Sequence, residues 1–161
     1  MTVGGFVVHR VRVAKDKAEF VRGLVVSDSE LSPPFQTYAD VLAFAAALGM
    51  QRQQRSPFTE VSNREPAPIS LEIFVSRGYD RLFKLLAVVE TGDPNVLSPT
   101  AADAEKLRVQ TFEEYANGGL EILQGELRGA IDYTEQLLLV MSAKRFSEGS
   151  IEDSFDLRRF L

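Results

Sequence analysis

The chain contains no cysteine and a single histidine. The first absence excludes disulfides, thiolate zinc sites and cysteine nucleophiles, and it fits a reducing cytoplasm. The second excludes any site that needs two histidines from one chain. A basic excess is missing as well. Lys and Arg number 18 against 23 Asp and Glu, a formal charge of −5, so no overall field draws the chain onto nucleic acid. The opening does not read as a secretory leader, because His9, Arg10 and Arg12 interrupt its apolar residues. The longest apolar runs, such as 41–48, fall far short of the roughly 18 residues a spanning helix needs. A cytoplasmic protein without a membrane partner is expected. No internal repeat, low-complexity tract, G-x-S-x-G, P-loop or G-x-G-x-x-G occurs.

What is present suffices for one domain. The chain has 161 residues, 45% of them apolar, with 11 Phe and 4 Tyr, within the usual range of a single core. Residues 6–14 alternate loosely, with Val7, Val11 and Val13 on one side and Arg10 and Arg12 on the other, which predicts a short strand or an extended arm. Asp16 with Glu19 reads as a capping box before the apolar stripe Phe20, Val21, Leu24 and Val25. Thr37 caps a second helix over 38–48, with Asp40 three residues on and Gly49 as its stop. Its run of alanines, 45–47, predicts close packing by another helix.

Residues 51–68 form a polar connection punctuated by proline, longer than the roughly 12–15 residues compact domains use. Segment 69–76 fits a strand or a short helix; helix is favoured, because Leu71, Phe74 and Val75 share a helical face. Leu82, Phe83, Leu85, Leu86, Val88 and Val89 make 79–90 an apolar helix whose surface exceeds what one domain covers, which points to a homo-oligomer. A turn at 91–94 follows. Ser98-Pro99 starts a helix to Ala116, and Asn117-Gly118-Gly119 reads as a corner between it and a short helix over 120–128. Asp132 caps the last helix, with Leu137, Leu138, Val140 and Met141 toward the core. The expected fold is all-α: an irregular bundle of five or six helices within a single domain over 1–145, with at most one short N-terminal strand or arm. Residues 146–161, with Ile151, Phe155, Leu157 and Phe160, read as a tail or a docking helix.

Chemistry is sparse. Glu113, Glu114 and Glu121 flank the glycines, and paired carboxylates can bind a divalent metal or act as acid and base. A carboxylate-bridged metal pair in a bundle wants Glu-x-x-His, which the chain lacks, so solvated helix surface is the simpler reading. His9 reads as an ordinary strand-surface residue rather than a proton shuttle. No catalytic, metal or cofactor residue is assigned. The basic residues Arg10, Arg12, Lys15, Lys17 and Arg22 near the start, with Arg52, Arg55 and Arg64 in the long connection, form the candidate contact set for DNA or a partner. Of these, Arg10, Arg12, Lys15, Arg52, Arg55 and Arg64 are the expected contact residues.

Three segments together, PFQTYADVLAFAAALGM (34–50), FVSRGYDRLFKLLAVVETGD (74–93) and TFEEYANGGLEILQGEL (111–127), resemble the bacterial family known as DNA phosphorothioation-associated, or Dnd system-associated, protein 4. The similarity spans about residues 10–145. It implies a system that replaces a non-bridging phosphate oxygen of DNA with sulfur, or restricts DNA lacking that mark. It carries over no catalytic residue. Without thiolates this chain does not itself handle the sulfur. The resemblance therefore implies a non-catalytic accessory or regulatory protein that binds other proteins of the system, or DNA; the alternative is a stand-alone DNA-binding protein using the basic residues near the start and in 52–64.

Overall fold

The computed structural model describes residues 9–26 and 30–152. Its spine is a single helix, α5 (Ala102–Glu126), which buries Val109, Phe112, Tyr115, Ala116, Leu120 and Leu123 along its length. The expected corner at 117–119 does not exist: the helix runs straight through both glycines. The physical reason lies in a second helix, α2 (Tyr38–Gln51). A Cβ added at Gly119 would lie 1.7 Å from the Ala45 carbonyl oxygen, and one at Gly118 2.0 Å from the Gln54 carbonyl oxygen. The glycines are there for backbone approach, not for a turn. Gly49 answers from the other side. Its Cβ would meet the Tyr115 carbonyl oxygen at 2.2 Å, and α2 continues past it to Gln51. The alanines do mark a helix-to-helix contact: Ala45 and Ala46 are fully buried, although Ala47 faces out. Thr37 caps α2 as expected, its Oγ1 accepting from the Asp40 N–H at 3.2 Å.

The remaining elements wrap this pair. Strand β1 (Arg10–Val11) pairs antiparallel with β2 (Ile69–Ser70) in a two-stranded sheet, Arg10 opposite Ser70 and Val11 opposite Ile69. Val11 and Val13 are buried, as the alternation predicts; Val7 lies outside the described residues. A 3₁₀ turn (Lys15–Lys17) leads into α1 (Ala18–Gly23). The Asp16 capping box does not form, because Asp16 lies inside the 3₁₀ turn and the residue at the start of α1 is Lys17, whose Nζ donates to Asp16 at 2.9 Å. Segment 69–76 is both things at once, β2 followed by α3 (Leu71–Ser76). Only Phe74 of its predicted face is fully buried, and Val75 is exposed.

Helix α4 (Asp80–Thr91) follows, ending at Gly92 in the left-handed region. The rings of Phe83 and Phe112 stack at 3.9 Å, and Phe74 meets both edge-on, at 5.5 Å and 5.4 Å. This aromatic triple locks α3, α4 and α5 together, adding about 0.5–1.5 kcal/mol per pair beyond the area it buries. A 3₁₀ turn (Pro94–Leu97) precedes α5. The spine starts later than Pro99 because Arg108 Nη1 holds the Val96 and Ser98 carbonyls at 2.5 and 3.1 Å. Ser98 Oγ accepts from the Ala101 N–H at 3.2 Å, the bond a cap there makes, but the helix itself begins only at Ala102. Helix α6 (Tyr133–Glu152) follows, with Asp132 Oδ1 accepting from the Glu135 N–H at 3.2 Å. It runs past residue 145, and Phe155, Leu157 and Phe160 lie outside the described residues. Of its predicted core side, Leu137 is buried, whereas Leu138 and Met141 are exposed. The described residues thus form a mostly helical irregular bundle of six helices with one small sheet.

Candidate interaction surfaces

The carboxylates beside the glycines fasten the extended stretches of the chain onto α5. Glu113 is 3% exposed. Its Oε2 accepts from the Arg12 backbone N–H at 2.6 Å and from Arg12 Nε at 3.0 Å, and Oε1 accepts from Nη2 at 3.0 Å. The hydrogen bond to Glu113 raises the Arg12 pKa further. Glu114 accepts from Arg55 Nε at 2.5 Å, while Arg55 Nη1 reaches Glu90 at 2.7 Å. Glu121 accepts from Gln54 Nε2 and Ser56 Oγ at 2.8 and 2.9 Å. The first tie secures the N-terminal segment and the other two secure the long connection. A buried carboxylate needs such partners, since an unpaired charge in the interior costs several kcal/mol.

Two polar clusters brace the outer helices. Tyr115 Oη donates to Glu90, and that bond, then the one from Arg55, holds the Glu90 carboxyl below its ordinary value. Burial, then Glu90, pushes the Tyr115 phenol up to about 12. On the other flank Asp40 accepts from Arg77 Nε and Nη2 at 2.9 and 2.7 Å and from Tyr79 Oη at 2.5 Å. Burial works to raise the Asp40 carboxyl, but the donors Arg77, Tyr79 and Thr37 outweigh it and hold the group low. His9 Nε2 sits 3.7 Å from Glu105. Among the described residues no group of three or more His, Asp or Glu could hold a metal ion.

The predicted contact set therefore separates. Arg12 and Arg55 are tied to α5. Arg10 is exposed on β1. Lys15 and Arg64 share a notch of about 660 Å³ with Arg22, Ser62 and Asn63. Arg52 stands at the rim of a different feature, an apolar groove of about 400 Å³ between α2, α5 and α6. Phe44, Leu48, Ile122, Leu123, Val140 and Met141 line it. Beside it Leu138 and Leu139 are 60% and 57% exposed. Sequence reasoning missed this groove by turning Leu138 and Met141 inward. The signal that could have found it was the unbroken run Leu137 to Met141, too apolar for one stripe of a surface helix.

The model of the family described as DNA sulphur modification system-associated protein 4 matches residues 10–160. The chain belongs to this family. No curated protein and no solved structure is significantly similar to it. The family's description associates it with a DNA sulphur modification system. The match includes both α5 with its glycines and the whole of α6. No helix among the described residues is long and apolar enough to cross a membrane.

Proposed function

We propose that this member of the DNA sulphur modification system-associated protein 4 family is a non-catalytic accessory or regulatory component of its system, in modification, restriction and phage defence. It works in the cytoplasm by binding another protein of that machinery. The observation that supports this reading is the apolar groove beside α6, with Leu138, Leu139 and Met141 all at least half exposed. Exposed clusters of large apolar side chains are costly in water and mark sites where another surface docks. A helix laid along the groove would bury the Phe44–Leu48 wall and the Val140–Met141 wall together, the helix-in-groove mode of recognition. The named carboxylates are engaged in holding the fold, which favours the groove over the acidic residues of α5 as the docking surface.

Affinity purification of the tagged protein from its native host, with and without nuclease, tests this reading. Nuclease-resistant recovery of modification or restriction proteins is the expected result. Recovery of the protein alone, as monomer or homo-oligomer, under both conditions would overturn it.

A further inference from the structure

Some of the described cations are held by carboxylates and others stand in solvent. Arg12, Lys17, Arg55, Arg77 and Lys84 each have a carboxylate within 4 Å. Lys15, Arg22 and Arg64 are exposed, and no ion pair to any of them is found among the described residues. Yet these three, from the 3₁₀ turn, from α1 and from the long connection, border one concavity. Their meeting is built by the backbone. The Lys15 N–H donates to the Glu60 carbonyl at 2.9 Å, the Ser62 N–H donates to the Val13 carbonyl at 2.8 Å, and Ala14 bridges Val61. Ser62 Oγ then donates to the Arg64 carbonyl at 2.9 Å, fixing the turn that carries the arginine. The loop is stitched to the N-terminal segment at the point where Lys15 and Arg64 emerge. Two carboxylates border the notch as well, Glu19 and Glu65, and Glu65 already accepts from Tyr38 Oη at 2.6 Å.

We propose that the notch of Lys15, Arg22 and Arg64 takes a phosphate of the DNA backbone, reading charge and not sequence. This deepens the functional reading above, since it rests on the protein working beside DNA. Three long cations converging on a rigid rim, with the Asn63 amide beside them, match a phosphodiester oxygen pair better than a buried salt bridge. Glu19 and Glu65 leave the notch one net positive charge, so binding is weak and strongly dependent on salt. An accessory protein docked on a larger machine needs no more than that: a weak second contact raises avidity when the first already holds the protein in place.

The test is fluorescence anisotropy of a short random-sequence duplex, titrated with the full-length protein between about 50 and 200 mM salt. The variant is Lys15→Gln/Arg22→Gln/Arg64→Gln. The control is Arg81→Gln/Lys106→Gln/Arg128→Gln, which removes the same charge from exposed positions scattered over other elements. Circular dichroism confirms that both remain folded. The notch variant is expected to bind about tenfold more weakly at low salt and to lose about 1 from the slope of log affinity against log salt, the loss of one phosphate contact, while the control keeps the wild-type slope. Equal loss in both variants, or no binding by wild type at low salt, would overturn the proposal. So would a polyglutamate chain competing as well as DNA for the notch, which would assign it to an acidic protein. Failure of the docking reading is separate: it shows in co-purification, while duplex binding by the purified protein stands or falls by itself.

Discussion

Helices α5 and α6 are neighbours in sequence and opposites in burial. The spine is the more polar of the two around its midpoint, with Glu113, Glu114, Asn117 and two glycines in succession, yet all of these except Glu114 are buried. The final helix carries the unbroken apolar run 137–141 near its start, and of it only Leu137 is buried. Apolar content does not decide which helix becomes the core. What decides it is how closely the rest of the chain can approach. Glycines at 118 and 119 let α2 and its following loop lie directly on the α5 backbone. The leucines of α6 hold their neighbours apart and leave a groove.

Substitutions at the glycines break this comparison most severely. Gly119→Ala is expected to cost about 3 kcal/mol or more, because the new methyl meets backbone and neither helix can yield. Gly125→Ala, in the same helix with open space at its Cβ, is expected to gain about 0.5–1 kcal/mol from helix propensity alone. Urea denaturation of the pair measures both, and losses of similar size would refute the close-approach account.

Second in size is the tie between the spine and the N-terminal segment. Glu113→Gln removes the charge from a buried position, but the Arg12 side chain is 47% exposed and can rehydrate. The expected cost is about 2 kcal/mol, below the roughly 3–5 kcal/mol of a wholly buried broken pair. Amide exchange should rise first around β1 and the 3₁₀ turn; uniform loss across the molecule would argue against a local tie.

A smaller effect follows from Asp40 and Glu90, both held below their ordinary values of 3.8 and 4.5. Groups depressed in the folded state stabilise it above their unfolded pKa, and that stability is lost as pH falls through the folded value. The melting temperature should therefore change little from neutral pH down to these ordinary values and then decline. Asp40→Asn should flatten that decline, and an unchanged profile in the variant would remove Asp40 from the account.

Much of the fold was legible because it is local. The Thr37 cap, the Asp132 cap and the glycine after α4 follow from neighbours a few residues apart. The continuous spine is not legible in the sequence, because glycine's local preference for helix ends competes with a tertiary demand that no window of sequence displays. The same limit governs the basic residues. Arg12 finds its carboxylate 101 positions away, and Arg55 finds Glu114 59 positions away. Sequence showed a set of cations without showing that two are bound internally. The notch was half legible: Lys15 and Arg64 stood in the candidate set, but only the stitched backbone brings them beside Arg22.

The smallest expected change in stability carries the largest functional weight. Leu138→Asp/Leu139→Asp alters side chains already in solvent, so stability should stay within about 0.5 kcal/mol of wild type. Nuclease-treated co-purification of that variant beside wild type, with melting curves on the same material, is the most direct test. The account predicts an unchanged melting temperature with the partner protein lost. Retention of the partner, or a melting temperature that falls as far as in Gly119→Ala, would contradict the claim that α6 is finished by another protein.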